Sequence, residues 1–316
     1  MENTEQAPEP ISKVFLVLNA VIVLLIAFMA FVIYSAMHLP AQTKETLSGK
    51  SVSPVAFNNL DLQAKSVYVF DVVEKKVIFK KNEFAQFPLA SLTKMMMALT
   101  ATDLFPANSH VTIKKEFLQE EGDTGLLVDE SWKLKDLLDF SLVVSSNDGA
   151  RSVASVVGAM DLKTDNYDMG RKDFIEKMND EARTLGLKQT YFVNESGLDE
   201  GETSGGYGSA LDVGKLMEYI LKNKPQLLEA TKYENLTIDS INAEHTVKNT
   251  NIDIGNIPGL IASKTGYTDL AGGNLAIAFD ASIGRPIIVV VLGSTIDGRF
   301  DDISKLVQAS LAYIAE

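Results

Sequence analysis

Uncharged residues run without a break from Val14 to Met37, in the stretch VFLVLNAVIVLLIAFMAFVIYSAM. At about 1.5 Å per residue, a helix of this length can cross a hydrocarbon core of about 30 Å. The run is longer than the apolar region of a secretory signal and is apolar on every face. The pattern predicts an uncleaved membrane anchor over residues 14–37, after a short N-terminal segment at 1–13.

The pattern changes after the predicted anchor. Residues 38–60 are small, polar and proline-containing, which is typical of a linker. Two β-rich runs in KSVYVFDVVEKKVIFKKN then flank the polar residues 74–76, so a hairpin is predicted. Helical spacing dominates residues 101–200 and returns in SALDVGKLMEYILKN. The strand-like runs LIASKTGYT, GGNLAIAFDA and RPIIVVVLGS precede a last amphipathic helix.

This order of elements predicts a fold of the α/β (α+β) class. Consecutive strands joined by short links favour antiparallel pairing, so the sheet is expected to be mostly antiparallel and flanked by helices. The strand-forming segments at both ends of residues 61–316 are expected to share one sheet. The middle, about residues 101–200, is expected to form an inserted all-helical lobe. A cleft between sheet and lobe is the natural place for a site.

Composition removes several classes of function. The net charge of −13 argues against nucleic-acid binding, and the absence of cysteine excludes disulfides and thiol catalysis. The three histidines, His38, His110 and His245, show no metal-ligand spacing. A Gly-x-Ser-x-Gly elbow and a phosphate-binding Gly-x-x-x-x-Gly-Lys loop are both absent from the sequence.

A serine and a lysine lie one helical turn apart in FPLASLTKMMMALTATDLF. Ser91 and Lys94 form the only Ser-x-x-Lys in the chain, and this spacing puts both side chains on one helix face. A serine needs a base to become a nucleophile, and a lysine serves if burial lowers its pKa. The apolar residues after Lys94 supply such surroundings. The alternative is structural: Ser91 caps the helix and Lys94 extends to solvent.

A second element is Ser145-Ser146-Asn147, between two helical stretches. The Ser145 hydroxyl is suited to passing a proton to a leaving amine, and the Asn147 amide to binding a substrate carbonyl or fixing the lysine. An N-cap role for Ser145 is compatible with this. A competing Ser-x-Asn match at Ser240 to Asn242 lies in a polar, strand-like segment and lacks the helix–loop–helix setting.

The third element is Lys264-Thr265-Gly266, inside a predicted strand. A cation and a hydroxyl projecting toward the cleft would hold a carboxylate, and the glycine would let a substrate backbone approach closely. A second cation near Lys94 would also help to keep Lys94 neutral. On a strand edge, an isolated lysine would instead protect against aggregation.

Together the three elements resemble the active-site serine penicillin-recognising enzymes. More closely, the sequence is similar to the D-alanyl-D-alanine carboxypeptidase family of serine peptidases. The resemblance extends over about residues 62–312. It includes the stretches PLASLTKMMMA, LKDLLDFSLVVSSNDGA, TYFVNESGLD, HTVKNTN, SKTGYTDLAGGNLAIA and IIVVVLGS.

The resemblance implies a role for each matched residue. Ser91 is the nucleophile that attacks the penultimate D-Ala carbonyl of a peptidoglycan stem peptide, and Lys94 is the general base. Ser145 relays the proton to the departing D-Ala, and Asn147 orients substrate and lysine.

The third element binds the end of the substrate in this scheme. Lys264 and Thr265 hold the terminal carboxylate beside Gly266. The backbone N–H groups of Ser91 and Tyr267 form the oxyanion hole.

The resemblance also implies the partners. The substrate is a stem peptide that ends in D-Ala-D-Ala, β-lactams acylate Ser91, and no metal or organic cofactor is needed. Because this substrate is extracytoplasmic, the catalytic domain at 61–316 is expected outside a cell membrane, held in the lipid bilayer by residues 14–37. Many relatives instead carry a C-terminal β-rich domain and membrane-associating helix, which leaves D,D-endopeptidase cleavage of crosslinks open.

Two further alternatives remain. A class A-like β-lactamase would use Glu195, since NESGLD is a near match to the deacylating Glu-x-x-Leu-Asn of those enzymes. The carboxypeptidase interpretation is preferred because its family has an equivalent stretch without a deacylation role. A non-catalytic penicillin-binding sensor would show an eroded motif, and all three motifs are intact.

Overall fold

The computed structural model describes residues 22, 24–29, 54–122 and 124–316. The chain divides into two compact units, Met1–Val52 and Ser53–Glu316. In the first unit, residues 22 and 24–29 are helical, and the rest of the predicted anchor at 14–37 lies outside the described residues. Within the described part of the chain, no helix has the length and apolar character needed to span a membrane.

The second unit contains twelve strands and six α-helices among its described residues. The strands are β1 (Ser66–Asp71), β2 (Lys76–Lys81), β3 (Phe87–Pro88), β4 (His110–Thr112), β5 (Ser131–Lys133), β6 (Tyr191–Phe192), β7 (Gly206–Gly208), β8 (Asn235–Asp239), β9 (Glu244–Lys248), β10 (Leu260–Thr268), β11 (Gly272–Asp280) and β12 (Pro286–Ser294). The helices are α1 (Lys94–Leu104), α2 (Leu134–Val143), α3 (Asn147–Leu162), α4 (Tyr167–Thr184), α5 (Ala210–Asn223) and α6 (Gly298–Ala315).

The main sheet has five strands in the order β10-β11-β12-β1-β2. Every neighbouring pair is antiparallel, and β1 pairs with β12 so that Ser66 lies opposite Leu292. The predicted antiparallel sheet, formed by the strands from both ends of the unit, is therefore confirmed. The β1–β2 hairpin is also present, and its turn places Lys75 at a left-handed φ of 53°.

Both faces of this sheet are buried, which explains its continuous apolar runs. Alternate residues of a strand point to opposite faces. On one face, Val289 and Val291 of β12 pack with Ile303 and Leu306 of α6. On the other face, residues such as Val290 join the larger core beneath α1 and the middle helices.

The middle of the chain is mainly but not entirely helical, so the expected all-helical lobe is wrong in two places: a ribbon lies between α1 and α2, and β6 follows α4. Helices α2, α3 and α4 fall in this region, and α3 packs against α4. Between α1 and α2, however, β4 and β5 form a two-stranded ribbon with Val111 opposite Trp132. Three-residue strands are too short to show alternation, so the sequence pattern did not reveal them.

Candidate active site

The Ser91 hydroxyl and the Lys94 amine meet at the start of α1. Ser91 lies in the 3-10 turn Ala90–Thr93, which continues directly into the helix. Ala90 has a φ of 48°, a left-handed conformation that is uncommon for a residue with a Cβ and turns the chain just before the serine. The Lys94 Nζ lies 2.9 Å from Ser91 Oγ. The structure thus brings together the two residues paired by their spacing.

The Lys94 side chain is fully buried, not extended to solvent. Its Nζ also donates to Asn147 Oδ1 at 2.7 Å and to the Ser196 carbonyl at 2.8 Å. A neutral amine has two N–H groups and one lone pair. Because two carbonyl oxygens take the N–H groups, the lone pair of the neutral form is left to accept the Ser91 O–H.

The environment of Lys94 favours this neutral form. Burial lowers the pKa of Lys94 to about 7, although the negative charges of Glu195 and Glu120 act in the opposite direction. A base with a pKa near neutrality combines a usable neutral fraction with sufficient proton affinity. The geometry and the charge state of Lys94 therefore both suit removal of the Ser91 proton.

The Ser145 hydroxyl lies on the loop before α3 and contacts strand β10. It accepts a hydrogen bond of 2.9 Å from Lys264 Nζ. Ser145 has a left-handed φ of 62°, a conformation that costs about 1–3 kcal/mol and recurs at functional sites. The N-cap interpretation of Ser145 is wrong, because Ser146 caps α3 by accepting from Gly149 N at 3.0 Å.

Asn147 begins α3 and links two parts of the site. Its Oδ1 accepts from Lys94, and its Nδ2 donates to the Glu121 carbonyl at 2.7 Å. Both ends of the amide are therefore engaged within the protein. This arrangement matches the second of the two tasks considered for Asn147, which is fixing the lysine.

Lys264 and Thr265 lie on β10 and are almost completely buried. Besides Ser145, the Lys264 Nζ donates to the Thr265 carbonyl at 2.9 Å. Among the described residues, the third N–H of a Lys264 ammonium has no acceptor and can serve a ligand carboxylate. The Thr265 hydroxyl shares a hydrogen bond of 2.6 Å with the Thr250 hydroxyl.

The positive charges of the two buried lysines, Lys94 and Lys264, repel each other. Burial lowers the pKa of Lys264 well below its usual value, and the charges of Lys94 and Arg299 lower it further. One proton on the pair is thus favoured over two. A carboxylate bound beside Lys264 would attract that proton to Lys264 and leave Lys94 neutral.

Gly266 allows a close approach within the protein, and the expected approach of a substrate backbone stays a prediction. A Cβ at this position would lie 2.9 Å from the Leu89 carbonyl oxygen and 3.1 Å from Ser91 N. The missing side chain therefore lets β10 lie against the turn Ala90–Thr93, called the nucleophile turn because it carries Ser91. Tyr267 follows with its side chain 44% exposed and its hydroxyl donating to Asp269. An oxyanion role for the Tyr267 N–H stays a prediction.

Three residues that contribute to the site were not predicted from the sequence. Arg299 of α6 is 8% exposed and donates from Nη1 to the Gly266 carbonyl at 2.9 Å. Thr250 holds Thr265, and Ser196 supplies a carbonyl to Lys94. A single arginine in an amphipathic helix gives no sequence signal, and a backbone carbonyl gives none at all.

Glu195 lies close to the site but is already paired. Its carboxylate is 1% exposed and accepts from Arg171 Nε at 2.8 and 3.0 Å. A deacylating base must be able to reach water and take its proton. The geometry therefore disfavours the β-lactamase alternative.

The competing Ser-x-Asn match belongs elsewhere in the fold. Residues 240–242 form the turn between β8 and β9, where Ser240 Oγ donates to Glu130 Oε1 at 2.7 Å. His245 also binds this carboxylate, at 2.6 Å from its Nε2. In the described part of the chain, no group of three or more histidine or acidic side chains is placed to hold a metal ion.

Comparisons with known proteins agree with this geometry. The family profile for D-alanyl-D-alanine carboxypeptidase, peptidase family S11, matches residues 51–295. The chain is 29% identical over 239 residues to D-alanyl-D-alanine carboxypeptidase DacB2 of Mycobacterium tuberculosis, covering 75% of this chain and 78% of that protein. It is 29% identical over 258 residues to a D-alanyl-D-alanine endopeptidase of Pseudomonas aeruginosa, covering 77% of this chain and 76% of that protein.

A solved structure shows the same fold. Penicillin-binding protein D2 of Listeria monocytogenes in its ampicillin-bound form is similar with a TM-score of 0.67 and 28% identity. The match covers 79% of this chain and 98% of that one. Because the family profile spans most of the sequence and includes all three motifs, the chain belongs to the D-alanyl-D-alanine carboxypeptidase family of serine peptidases.

Proposed function

We propose that the protein is a penicillin-binding serine carboxypeptidase that removes the terminal D-Ala from peptidoglycan stem peptides. The observation that carries the proposal is the 2.9 Å contact between Ser91 Oγ and a buried lysine amine with two fixed carbonyl acceptors. The family membership supplies the substrate class.

Acylation begins with proton transfer. Neutral Lys94 takes the Ser91 proton while Ser91 Oγ attacks the carbonyl carbon of the penultimate D-Ala. The peptide bond then breaks, and the proton held by Lys94 passes through Ser145 to the leaving amine, which makes Lys94 neutral again. The Ser145 hydroxyl accepts from Lys264 Nζ at 2.9 Å. Free D-Ala departs and an ester on Ser91 remains. Water hydrolyses this ester and releases the shortened peptide.

Charged and polar side chains bind the terminal carboxylate of the substrate, and backbone N–H groups bind its reacting carbonyl oxygen. The terminal carboxylate binds Lys264 and Thr265, with the buried guanidinium of Arg299 behind them. The N–H groups of Ser91 and Tyr267 receive the developing oxyanion. Each such donor contributes about 3 kcal/mol to stabilising the transition state.

The direct test is release of D-Ala from a stem pentapeptide by the full-length protein, with Ser91→Ala as the control. Release by the wild type but not by the variant supports the proposal. Rapid penicillin hydrolysis without D-Ala release would replace it with a β-lactamase. Penicillin labelling without D-Ala release and without penicillin hydrolysis would indicate a sensor.

Endopeptidase activity is the second candidate, because relatives of similar identity carry that name. A crosslinked stem-peptide dimer and the pentapeptide, assayed side by side, separate the two activities. The motif residues serve both reactions, so the preference depends on how the cleft accepts the chain beyond the scissile bond.

The proposed location is a cell membrane with the catalytic unit on the extracytoplasmic side. Support comes from the uncharged run at 14–37 and from the location of peptidoglycan. Protease added to intact spheroplasts should then degrade the catalytic unit. Protection of this unit until lysis would contradict the proposed orientation, and its release by salt alone would contradict the anchor.

A further inference from the structure

A buried carboxylate that the proposed reaction does not use lies near the Lys94 amine. Glu195 is 1% exposed and pairs with Arg171 at 2.8 Å. The next residue, Ser196, provides the carbonyl that binds Lys94 Nζ at 2.8 Å. The carboxylate is thus carried by the same short segment that holds the amine.

Arg171 balances the charge of Glu195 only in part. The arginine side chain is 22% exposed and reaches solvent, whereas the carboxylate side chain is 1% exposed. Water therefore screens the guanidinium more strongly than the carboxylate. The remaining negative field favours the ammonium form of Lys94, and it raises the pKa of Lys94 against the lowering effect of burial.

Other charged groups surround this arrangement on every side. They are Lys264 on β10, Glu120 in the segment before β5, Asp148 and Arg151 on α3, Arg171 on α4 and Arg299 on α6. Arg151 lies 3.3 Å from Glu120, and Asp148 accepts from the Glu120 N–H. Glu195 is the more deeply buried of the two acids that act on Lys94 and has the stronger effect.

We propose that Glu195 is a positioning residue for the base: its charge, limited by Arg171, sets the pH above which Lys94 can take the Ser91 proton. This inference rests on the proposed function. It gives Glu195 an electrostatic task in acylation in place of the deacylation task considered from its sequence.

The sign of the effect follows from the chemistry. Lys94 acts as a base only when neutral, so acylation is lost as the pH falls through its pKa, which lies at about 7. Glu195→Gln removes a charge that favours the ammonium form of Lys94. The acidic limb of the pH–rate profile, where acylation falls as Lys94 becomes protonated, should therefore move to lower pH by about one unit. Arg171→Gln leaves the carboxylate unopposed, so the limb should move to higher pH.

The experiment measures the second-order rate of acylation by a fluorescent penicillin from pH 5 to 9. It compares the full-length wild type, Glu195→Gln, Arg171→Gln, the double variant and Arg171→Lys. At pH 6, Glu195→Gln should retain about fivefold more of its plateau rate than the wild type. The double variant should follow Glu195→Gln, and Arg171→Lys should follow the wild type.

The limb position does not depend on the fraction of folded enzyme, so partial misfolding of Arg171→Gln leaves the test intact. Opposite shifts in the two single variants support the inference. Unmoved limbs, or limbs that move in the same direction, overturn it, because a packing role lowers the rate equally at every pH. Absence of acylation in the wild type would instead overturn the proposed function.

Discussion

An arginine at position 94 would keep a positive side chain but could not accept the Ser91 proton. The guanidinium stays protonated at any working pH. General-base catalysis typically contributes 10²–10⁴-fold, so Lys94→Arg should reduce acylation by about that factor. Labelling with a fluorescent penicillin measures the loss.

The exposed Lys188→Arg is the matched control for that substitution and should label like the wild type. Equal labelling of Lys94→Arg and the control would exclude Lys94 as the base. Loss in both variants would point to a general effect of arginine on the fold.

At the residue scale, the sequence identified the functional side chains better than it identified the backbone conformations that position them. Ser91 and Lys94 were identified because a spacing of three on a helix fixes their relation. The left-handed φ of Ser145 left no mark in the sequence, and neither did the choice of Ser146 as the helix cap. Glu195 was recognised as acidic, but its pairing with Arg171 depends on the distant helix α4.

Strand β10 and the nucleophile turn are neighbouring elements whose contact depends on Gly266. A methyl group there would meet the Leu89 carbonyl oxygen at 2.9 Å, so Gly266→Ala must push the strand away from Ser91. A displacement of this kind misplaces the carboxylate-binding residues. The acylation rate should fall by about tenfold or more.

Stopped-flow acylation tests this prediction, with Gly255→Ala as the control. An added Cβ at Gly255 meets nothing within 4 Å. Unchanged acylation in Gly266→Ala would show that the strand and the turn tolerate separation.

The turn between β10 and β11 is held by a second contact. Asp199 accepts from Thr268 Oγ1 at 3.0 Å and from Leu270 N at 3.2 Å. It thereby joins the segment after Ser196 to the end of the strand that carries Lys264. Asp199→Ala should loosen this end and lower the acylation rate about threefold to tenfold, since a hydrogen bond is worth about 1 kcal/mol.

Kinetics and hydrogen exchange check this prediction together, with the exposed Glu202→Ala as the control. Faster exchange confined to residues 268–272 should accompany the slower acylation. A rate equal to that of Glu202→Ala would show that the Asp199 contact is dispensable.

At the element scale, long elements were predicted and short ones were not. The apolar runs of β11 and β12 and the period of α6 are each long enough to show their type. The β4–β5 ribbon is not, because Val111 and Trp132 are buried by tertiary packing that a three-residue pattern cannot encode.

On the scale of the whole molecule, Asp302 fastens the beginning of the catalytic unit to its end. Its carboxylate is fully buried and accepts from Gln63 N, Ala64 N and Ser294 Oγ at 2.7–2.9 Å. Asp302→Ala would leave these donors without their acceptor. The free energy of unfolding should fall by about 3 kcal/mol.

Urea unfolding gives this free energy, and the neighbouring Asp301→Ala is a matched control because Asp301 is exposed. The control should change stability by less than about 0.5 kcal/mol. Equal stabilities of the two variants would contradict the fastening role of Asp302.

The overall arrangement was predictable because consecutive strands and their separation by helices restrict the topology. The pairing of β1 with β12 follows from that restriction. The way α6 brings Arg299 to the Gly266 carbonyl does not, because it depends on the packing angle of a helix whose exposed face has ordinary composition.

The pairing of the first strand with the last has a consequence for biogenesis. Strand β1 pairs with β2 on one side and needs β12 on the other, and the reactive site needs β10 beside the Ser91 turn. A ribosome-bound chain that lacks its final fifth therefore has a serine and a lysine but no competent nucleophile. Covalent capture by penicillin thus reports a finished polypeptide, and it can time maturation in pulse-labelled cells.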